Sequence, residues 1–231
     1  MEIIGYKDKH EYTNKNGVTS VVYLMDCMDL LKQVPDKYFE LAVVDPPYGI
    51  DKDGGKIGGD NKCIATNYIK KKWDKEPPKK EYFNRLSNKS KNLIIWGANH
   101  FISRVAIDSS CWIVWDKDNT GNFADCELAL TTFNTAVRKF QYRWNGMLHG
   151  NMKDKETRIH PTQKPQQLYE WIFKNYAKPN DKILDTHLGS GSSRIAADKA
   201  NLPFVGCELD PDYFYSHIKR FNEYSAQGTI F

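Results

Sequence analysis

No stretch of this chain is apolar over the roughly 20 residues that a bilayer-spanning helix requires. Its start also lacks the charged-then-apolar pattern of a secretory leader, so the expected location is cytoplasmic, with no membrane partner. Cysteines are few and scattered. Cys27, Cys63, Cys111, Cys126 and Cys207 form no C-x-x-C pair, which argues against a zinc ribbon and predicts reduced thiols. The six histidines show no ligand spacing either, so no metal is expected. Missing too are the G-x-G-x-x-G of dinucleotide enzymes and the G-K-[ST] of triphosphate sites. The net charge of +4 is modest. It is unevenly spread, with lysines frequent over 52–91 and a second basic group at Arg138, Lys139, Arg143, Lys153, Lys155 and Arg158. Basic connecting segments of this kind suit a polyanion or a solvated loop equally.

What is present starts with hydrophobic strands. Val21–Met25, Leu41–Val44, Asn92–Trp96, Cys111–Trp115, Lys182–Leu184 and Phe204–Leu209 read as buried strands. Glu127–Phe133 and Lys139–Trp144 read as two more, paired as a hairpin. Helices are expected over Asp29–Gln33, Asn99–Ile107, Lys164–Tyr176, Ser192–Lys199 and Pro211–Tyr224, the last with Pro in its first turn. Alternating strands and helices predict an α/β fold, a mostly parallel sheet with helices on both faces. The 231 residues show no internal repeat and no clean boundary, so 1–231 is read as a single domain. Within it, 51–80 is expected to be a mobile basic loop, and about 120–158 a small inserted recognition element.

Two strand ends carry chemistry. Asp45-Pro46-Pro47-Tyr48-Gly49-Ile50 directly follows the second strand. Prolines cannot continue a central strand, so the chain turns there, and both X-Pro restrictions stiffen the turn. A rigid carboxylate beside a flat ring suits a planar ligand bearing an amino group, although the same residues also make a plain turn. The second strand end is Asp185-Thr186-His187-Leu188-Gly189-Ser190-Gly191-Ser192-Ser193, a Gly turn opening a helix. Free N–H groups there suit a nucleotide-like ligand, and a bare turn fits as well. Some twenty residues on, Glu208 ends the next strand, the spacing at which an acid accepts ribose hydroxyls. Asp210 is the better placed of the two acids to cap the following helix. Between these sites, His160-Pro161-Thr162-Gln163-Lys164-Pro165 offers groups able to grip an amino-acid end or to cap a helix.

Taken together, Asp-Pro-Pro-Tyr, His-Pro-Thr-Gln-Lys-Pro, Asp-x-x-x-Gly-Ser-Gly and Gly-x-Glu-Leu-Asp resemble the DNA amino-methyltransferases, over about Val21 to Arg220. The order, catalytic motif first and Gly-rich motif last, is similar to the circularly permuted β group, and the wording near Asp185 to phage or prophage enzymes. The resemblance implies a Rossmann-like fold, S-adenosylmethionine as cofactor, and double-stranded DNA as partner. It also implies a place in restriction-modification or in a phage-infected bacterial cell. It implies catalytic roles for Asp45, Pro46, Pro47 and Tyr48: Asp45 and the Pro46 carbonyl accept from the target amine, and Tyr48 stacks on the base. It assigns cofactor binding to Asp26, Cys27, Asp45, Asp185, His187, Gly189, Gly191, Ser192, Ser193, Glu208 and Leu209, with His160, Thr162 and Lys164 closing over them. Thr186-His187 departs from the family's frequent Pro-Phe, which leaves open the side chain that packs on the methionine.

The Asp in the first motif position favours adenine N6, whereas cytosine-N4 enzymes more often carry Ser there. Cytosine-N4 methylation, RNA methylation and a non-catalytic nucleic-acid-binding module are the rival readings. The short recognition segment suggests help from a homodimer partner. The terminal Gln227-Gly228-Thr229-Ile230-Phe231 resembles sliding-clamp peptides, through Gln227, Ile230 and Phe231. An ordinary frayed tail is the competing reading of it.

Overall fold

The computed structural model describes residues 1–57, 66–118, 124–145, 148–150 and 156–227. Its strands are β1 (Asp8–Thr13), β2 (Thr19–Leu24), β3 (Phe39–Val44), β4 (Gly55–Ile57), β5 (Thr66–Tyr68), β6 (Ser90–Trp96), β7 (Trp112–Asp116), β8 (Cys126–Thr131), β9 (Arg138–Gln141), β10 (Trp144–Asn145), β11 (Leu148–His149), β12 (Ile183–Asp185) and β13 (Phe204–Glu208). Its α-helices are α1 (Cys27–Gln33), α2 (Lys80–Lys89), α3 (Ile102–Val105), α4 (Gln166–Tyr176), α5 (Ser192–Lys199) and α6 (Pro211–Gln227). Nine strands form the main sheet in the order β1-β2-β13-β12-β3-β6-β8-β7-β9. Every neighbouring pair from β2 to β6 is parallel.

Both faces of that parallel block are covered, which is why its strands are continuous apolar runs rather than alternating ones. Along β3, Leu41 and Val43 enter one core while Ala42 and Val44 enter the other. The first core takes Leu168, Tyr169, Ile172 and Phe173 of α4, Ala196 and Ala197 of α5 and Phe214 of α6. The second takes Leu30 and Leu31 of α1, Tyr82, Phe83 and Leu86 of α2 and Val105 of α3. The chain leaves β12 through α5 to β13 on one side and β3 through α2 to β6 on the other. The crevice between the carboxyl ends of β12 and β3 is therefore the topological switch point, where open α/β sheets bind ligands.

Several expectations are corrected. β8 and β9 are not a hairpin: β7 lies between them, antiparallel to β8 and parallel to β9. Alternating apolar residues fix a strand's face but not its partner. Both strands belong to the main sheet, so sheet structure occupies part of 120–158; of its described strands, only β10 and β11 stand apart, as an antiparallel pair. The expected helix over Asn99–Ile107 is a 3-10 turn, Ala98–His100, followed by α3, which ends where Ala106 turns left-handed at φ 49°. Helix α2 was missed beside the Lys-rich loop, and edge strand β1 was missed for its polar alternation. Within 51–80, Asp74 is hydrogen-bonded to the turn after β3 and Lys71 is paired with Asp210; residues 58–65 lie outside the described residues. So do 228–231, which carry most of the clamp-like peptide; Gln227 is the last residue of α6.

Candidate active site

Asp45 stands one residue past β3, and the turn that follows is held from a distance. Asp74, 2 % exposed, accepts the backbone N–H groups of Tyr48 and Gly49 at 2.7 and 2.8 Å through Oδ1, and that of Lys52 at 2.8 Å through Oδ2. The Tyr48 ring lies flat on Gly97, whose φ of 67° and missing side chain make the approach possible, and stacks on His100 at 5.1 Å and 17°. The Tyr48 hydroxyl donates to Asp45 Oδ1 at 2.7 Å. The ring expected to stack on a base is thus paired with His100, a residue sequence reasoning did not single out.

The Lys164 backbone borders the Gly-rich turn, where its carbonyl accepts the Ser192 hydroxyl, but its side chain, expected to close over the cofactor, runs to Asp45. Its stem is buried at 3 % exposure, and its ammonium sits 2.6 Å from Asp45 Oδ1, 3.1 Å from Glu127 Oε2 and 3.0 Å from the Tyr48 hydroxyl. Glu127 Oε1 meets Lys117 at 2.6 Å. Burial and then the Glu127 charge push the Asp45 carboxyl above its usual range, with Lys164 opposing them. For Glu127 burial pushes upward too, but Lys164 and then Lys117 more than offset it and bring the group to about 2. The cation is shared, and Glu127, with its second lysine, keeps its charge the more firmly of the two acids. Glu127 was missed as a site residue; the available signal was one carboxylate at the start of the otherwise apolar β8.

The second strand end carries the buried Asp185 and the half-buried Glu208, neither with an ion-pair partner among the described residues. Asp185 accepts the Ser193 hydroxyl at 2.6 Å and the His187 N–H at 3.0 Å. Burial nevertheless raises it to about 7. Glu208 accepts the N–H of Gly189 at 2.8 Å and of Asp210 at 2.9 Å, and burial raises it as well. Asp210 caps α6 through the Asp212 N–H at 2.9 Å and pairs with Lys71 at 2.7 Å. Asp26 caps α1 by accepting the Met28 N–H at 2.7 Å. Cys27 beside it is pushed up by burial to about 12, so it is a thiol.

The remaining expected residues divide. The His160 ring lies beside Gly189, packs on Trp73 and Tyr213, and takes the Thr162 hydroxyl at 3.2 Å on Nδ1. Burial and then Lys164 lower it to about 3, so it is neutral. His187, lowered to about 4 by burial, packs edge-on against Tyr82, whose hydroxyl meets Thr186 Oγ1 at 2.6 Å. Gly191, at φ 72°, makes room for the His217 ring, a packing role. Ser192 turns its hydroxyl to the Lys164 carbonyl at 2.9 Å. The Leu209 side chain is exposed.

Asp26, Asp185 and Glu208 thus line the carboxyl ends of β2, β12 and β13, next to Asp45 at the end of β3. Among the described residues no ion pair reaches Asp26, Asp185 or Glu208, and their remaining acceptor capacity fits a cationic ligand bearing hydroxyls and an amine. Among the described residues no group of His, Cys, Asp or Glu is arranged to hold a metal ion, and no helix is long and apolar enough to cross a membrane.

Comparison with known proteins agrees with this geometry. Residues 114–219 match the DNA methylase family that joins N6 and N4 enzymes. That match takes in His160–Pro165, the Gly-rich turn and Glu208, but not Asp45. Longer likenesses cover it. The Type II methyltransferase M1.MboII of Moraxella bovis is 28% identical over 83% of this chain and 92% of that protein. The Type II methyltransferase M.HinfI of Haemophilus influenzae is 24% identical over 91% of this chain and 70% of that protein. Among solved structures, the PvuII DNA methyltransferase (cytosine-N4-specific) superposes with a TM-score of 0.61 at 12% identity, over 96% of each chain. The M1.HpyAVI–SAM complex gives 0.58 at 19%, over 87% of this chain and 98% of that one. The fold is that of the S-adenosylmethionine-dependent DNA methyltransferases. The sequence matches support a DNA methyltransferase.

Proposed function

We propose that this chain methylates the exocyclic N6 amine of adenine, extruded from double-stranded DNA, at a specific site. The observation that carries the reading is the half-buried Asp45 carboxylate at the switch point, at the same carboxyl ends of the sheet as Asp185 and Glu208. S-adenosylmethionine, when bound, supplies an activated sulfonium methyl. Asp26, Asp185 and Glu208 are the residues to hold it, since its hydroxyls, amines and positive charge answer three acids that have no ion-pair partner among the described residues. Cys27, His187, Gly189, Gly191, Ser192, Ser193 and Leu209 border that region, with His160 and Thr162 over the Gly turn.

The chain's part at the amine is electronic and positional. An aromatic amine is a poor nucleophile because its lone pair is delocalised into the ring. Hydrogen bonds from its two N–H groups to Asp45 and to the Pro46 carbonyl favour a pyramidal nitrogen and localise that pair. Lys164 and Tyr48 both meet Asp45 on Oδ1, and among the described residues Oδ2 accepts nothing, so Oδ2 is the atom left for the amine. Pro46 and Pro47 fix the direction of both acceptors, which is a contribution of placement rather than of bond making. Extruding the base costs a few kcal/mol. A base that takes the place of His100 on Tyr48 offsets part of this, since stacking is worth about 1–3 kcal/mol per base in single-strand binders, less the His100 contact it replaces.

Mass spectrometry of nucleosides from DNA treated with the protein and the methyl donor tests the reading. N6-methyladenine is expected. N4-methylcytosine in its place overturns the adenine assignment, and methylated RNA with unmodified DNA overturns the substrate.

A further inference from the structure

We infer that Glu127 and Lys164 are positioning residues that act through Asp45, a shared ammonium holding the acceptor carboxylate charged without saturating it. The inference rests on the proposed role of Asp45 and adds the part played by two residues that the amine does not touch.

A buried carboxylate meant to accept from an amine faces two opposite failures. Left alone, it takes up a proton and becomes a donor. Given a lysine of its own, it stays charged, but the lysine competes with the amine for its lone pairs. The geometry here avoids both. Lys164 Nζ is 2.6 Å from Asp45 and 3.1 Å from Glu127, so one cation is divided between two anions. Lys117, at 2.6 Å from Glu127, restores the count to two cations for two carboxylates. The closest approach of this cation to Asp45 is to Oδ1. The Tyr48 hydroxyl also lies within 3.4 Å of Glu127 Oε2, so the ring and both acids are members of one network.

The other groups facing Asp45 come from separate elements. Asp185 at the end of β12 and Tyr169 on α4 interact with it electrostatically, and His100 stacks on Tyr48. None of these brings a lysine or arginine, so among the described residues Lys164 is the cation set against the burial that raises Asp45, and Glu127 the anion that weakens its pull. Their effects are of opposite sign: Lys164 pulls the Asp45 titration down and Glu127 pushes it up.

That opposition gives a test that a merely structural role does not imitate. The whole protein, labelled with carboxyl-13C aspartate, is titrated by NMR without ligand, and the Asp45 signal is assigned by its loss in Asp45→Asn. Glu127→Gln is expected to move the Asp45 midpoint to lower pH, and Lys164→Gln to higher pH. The acid limb of single-turnover methyl transfer should move with each midpoint. Glu127→Gln is near isosteric and carries the test alone if Lys164→Gln does not fold. Asp45 midpoints that coincide with the wild type, or that move in the same direction in both variants, overturn the inference. Absence of methyl transfer by the wild-type protein instead counts against the proposed function, while the midpoints still decide the electrostatic claim.

Discussion

Asp74 follows Tyr48 by 26 residues, yet its carboxylate accepts the Tyr48 backbone N–H at 2.7 Å. With Gly49 and Lys52 on the same carboxylate, one buried side chain fixes the whole turn that aims Asp45 and Tyr48. Replacing it with Ala strands three N–H groups. The exposed Lys52 N–H can turn to water, so the expected cost in folding stability is at least that of one buried donor left unpaired, about 1–3 kcal/mol, read by urea denaturation. The rate of methyl transfer should fall more steeply than donor affinity, because the Gly-rich turn is on another strand. A variant that keeps the wild-type rate would show that the turn needs no such clamp.

Gly97→Ala puts the same turn under pressure from the other side. A Cβ at Gly97 collides with the Tyr48 ring, and the residue already sits at φ 67°. The left-handed backbone alone costs an L-residue about 1–2 kcal/mol. The ring has to leave Gly97, which breaks its stack on His100 and its hydroxyl contact with Asp45. Methyl transfer should be largely lost while the far-UV circular dichroism stays that of the wild type. Unchanged turnover would mean that the position of Tyr48 does not matter to the reaction.

These two contacts mark where sequence reading reached and where it stopped. The switch-point strands were legible because both of their faces are buried, which leaves unbroken runs such as Leu41–Val44 and Phe204–Glu208. Asp45, Asp185 and Glu208 were legible because each ends such a run. Asp74, Gly97 and Glu127 were not, since each acts on a partner 26 or more residues away, and even the lone carboxylate of Glu127 in an apolar stretch does not name that partner. For Lys164 the motif showed the backbone's place beside the Gly-rich turn but not the reach of the side chain, which carries the charge past that turn to Asp45. The β8–β9 hairpin failed for a related reason, because pairing depends on which strand fills the gap, and β7 fills it.

Ser193 donates its hydroxyl to Asp185 at 2.6 Å, joining the first turn of α5 to the end of β12. That bond favours the charged carboxylate, whose titration burial has already raised to about 7. In Ser193→Ala the carboxyl titrates higher still, so near neutral pH more of it is protonated and unable to balance a cationic ligand. Affinity for S-adenosylmethionine, measured by calorimetry, should therefore drop most at pH 6.5 and recover toward the wild-type value at pH 8.5. An equal loss at both values would show that the hydroxyl acts by packing or direct contact rather than through Asp185.

The glycine turn has a pH-sensitive support beneath it. Gly191 packs on the His217 ring, and His217 Nε2 accepts from Arg194 at 3.1 Å while Nδ1 donates to the Phe214 carbonyl at 3.1 Å. Arg194 is fully buried, and its other partners are His10 Nδ1 at 2.9 Å, Ser20 Oγ at 3.1 Å and the Phe221 ring. A proton on His217 would put two cations in contact away from water. Burial and then Arg194 accordingly lower its titration well below 6.5. With the folded value depressed, the unfolded chain binds the extra proton first. The contribution to stability is therefore complete above about pH 6.5, the unperturbed histidine value, and is lost progressively as pH falls below it. Asp185 acts with the opposite sign, because its titration is raised. Comparison with His217→Gln, which keeps an acceptor for Arg194 but does not titrate, cancels that background. Between pH 7.5 and pH 5 the wild type should lose more of its urea midpoint than the Gln variant does. Equal losses would mean that the buried imidazole is not what makes this support acid-sensitive.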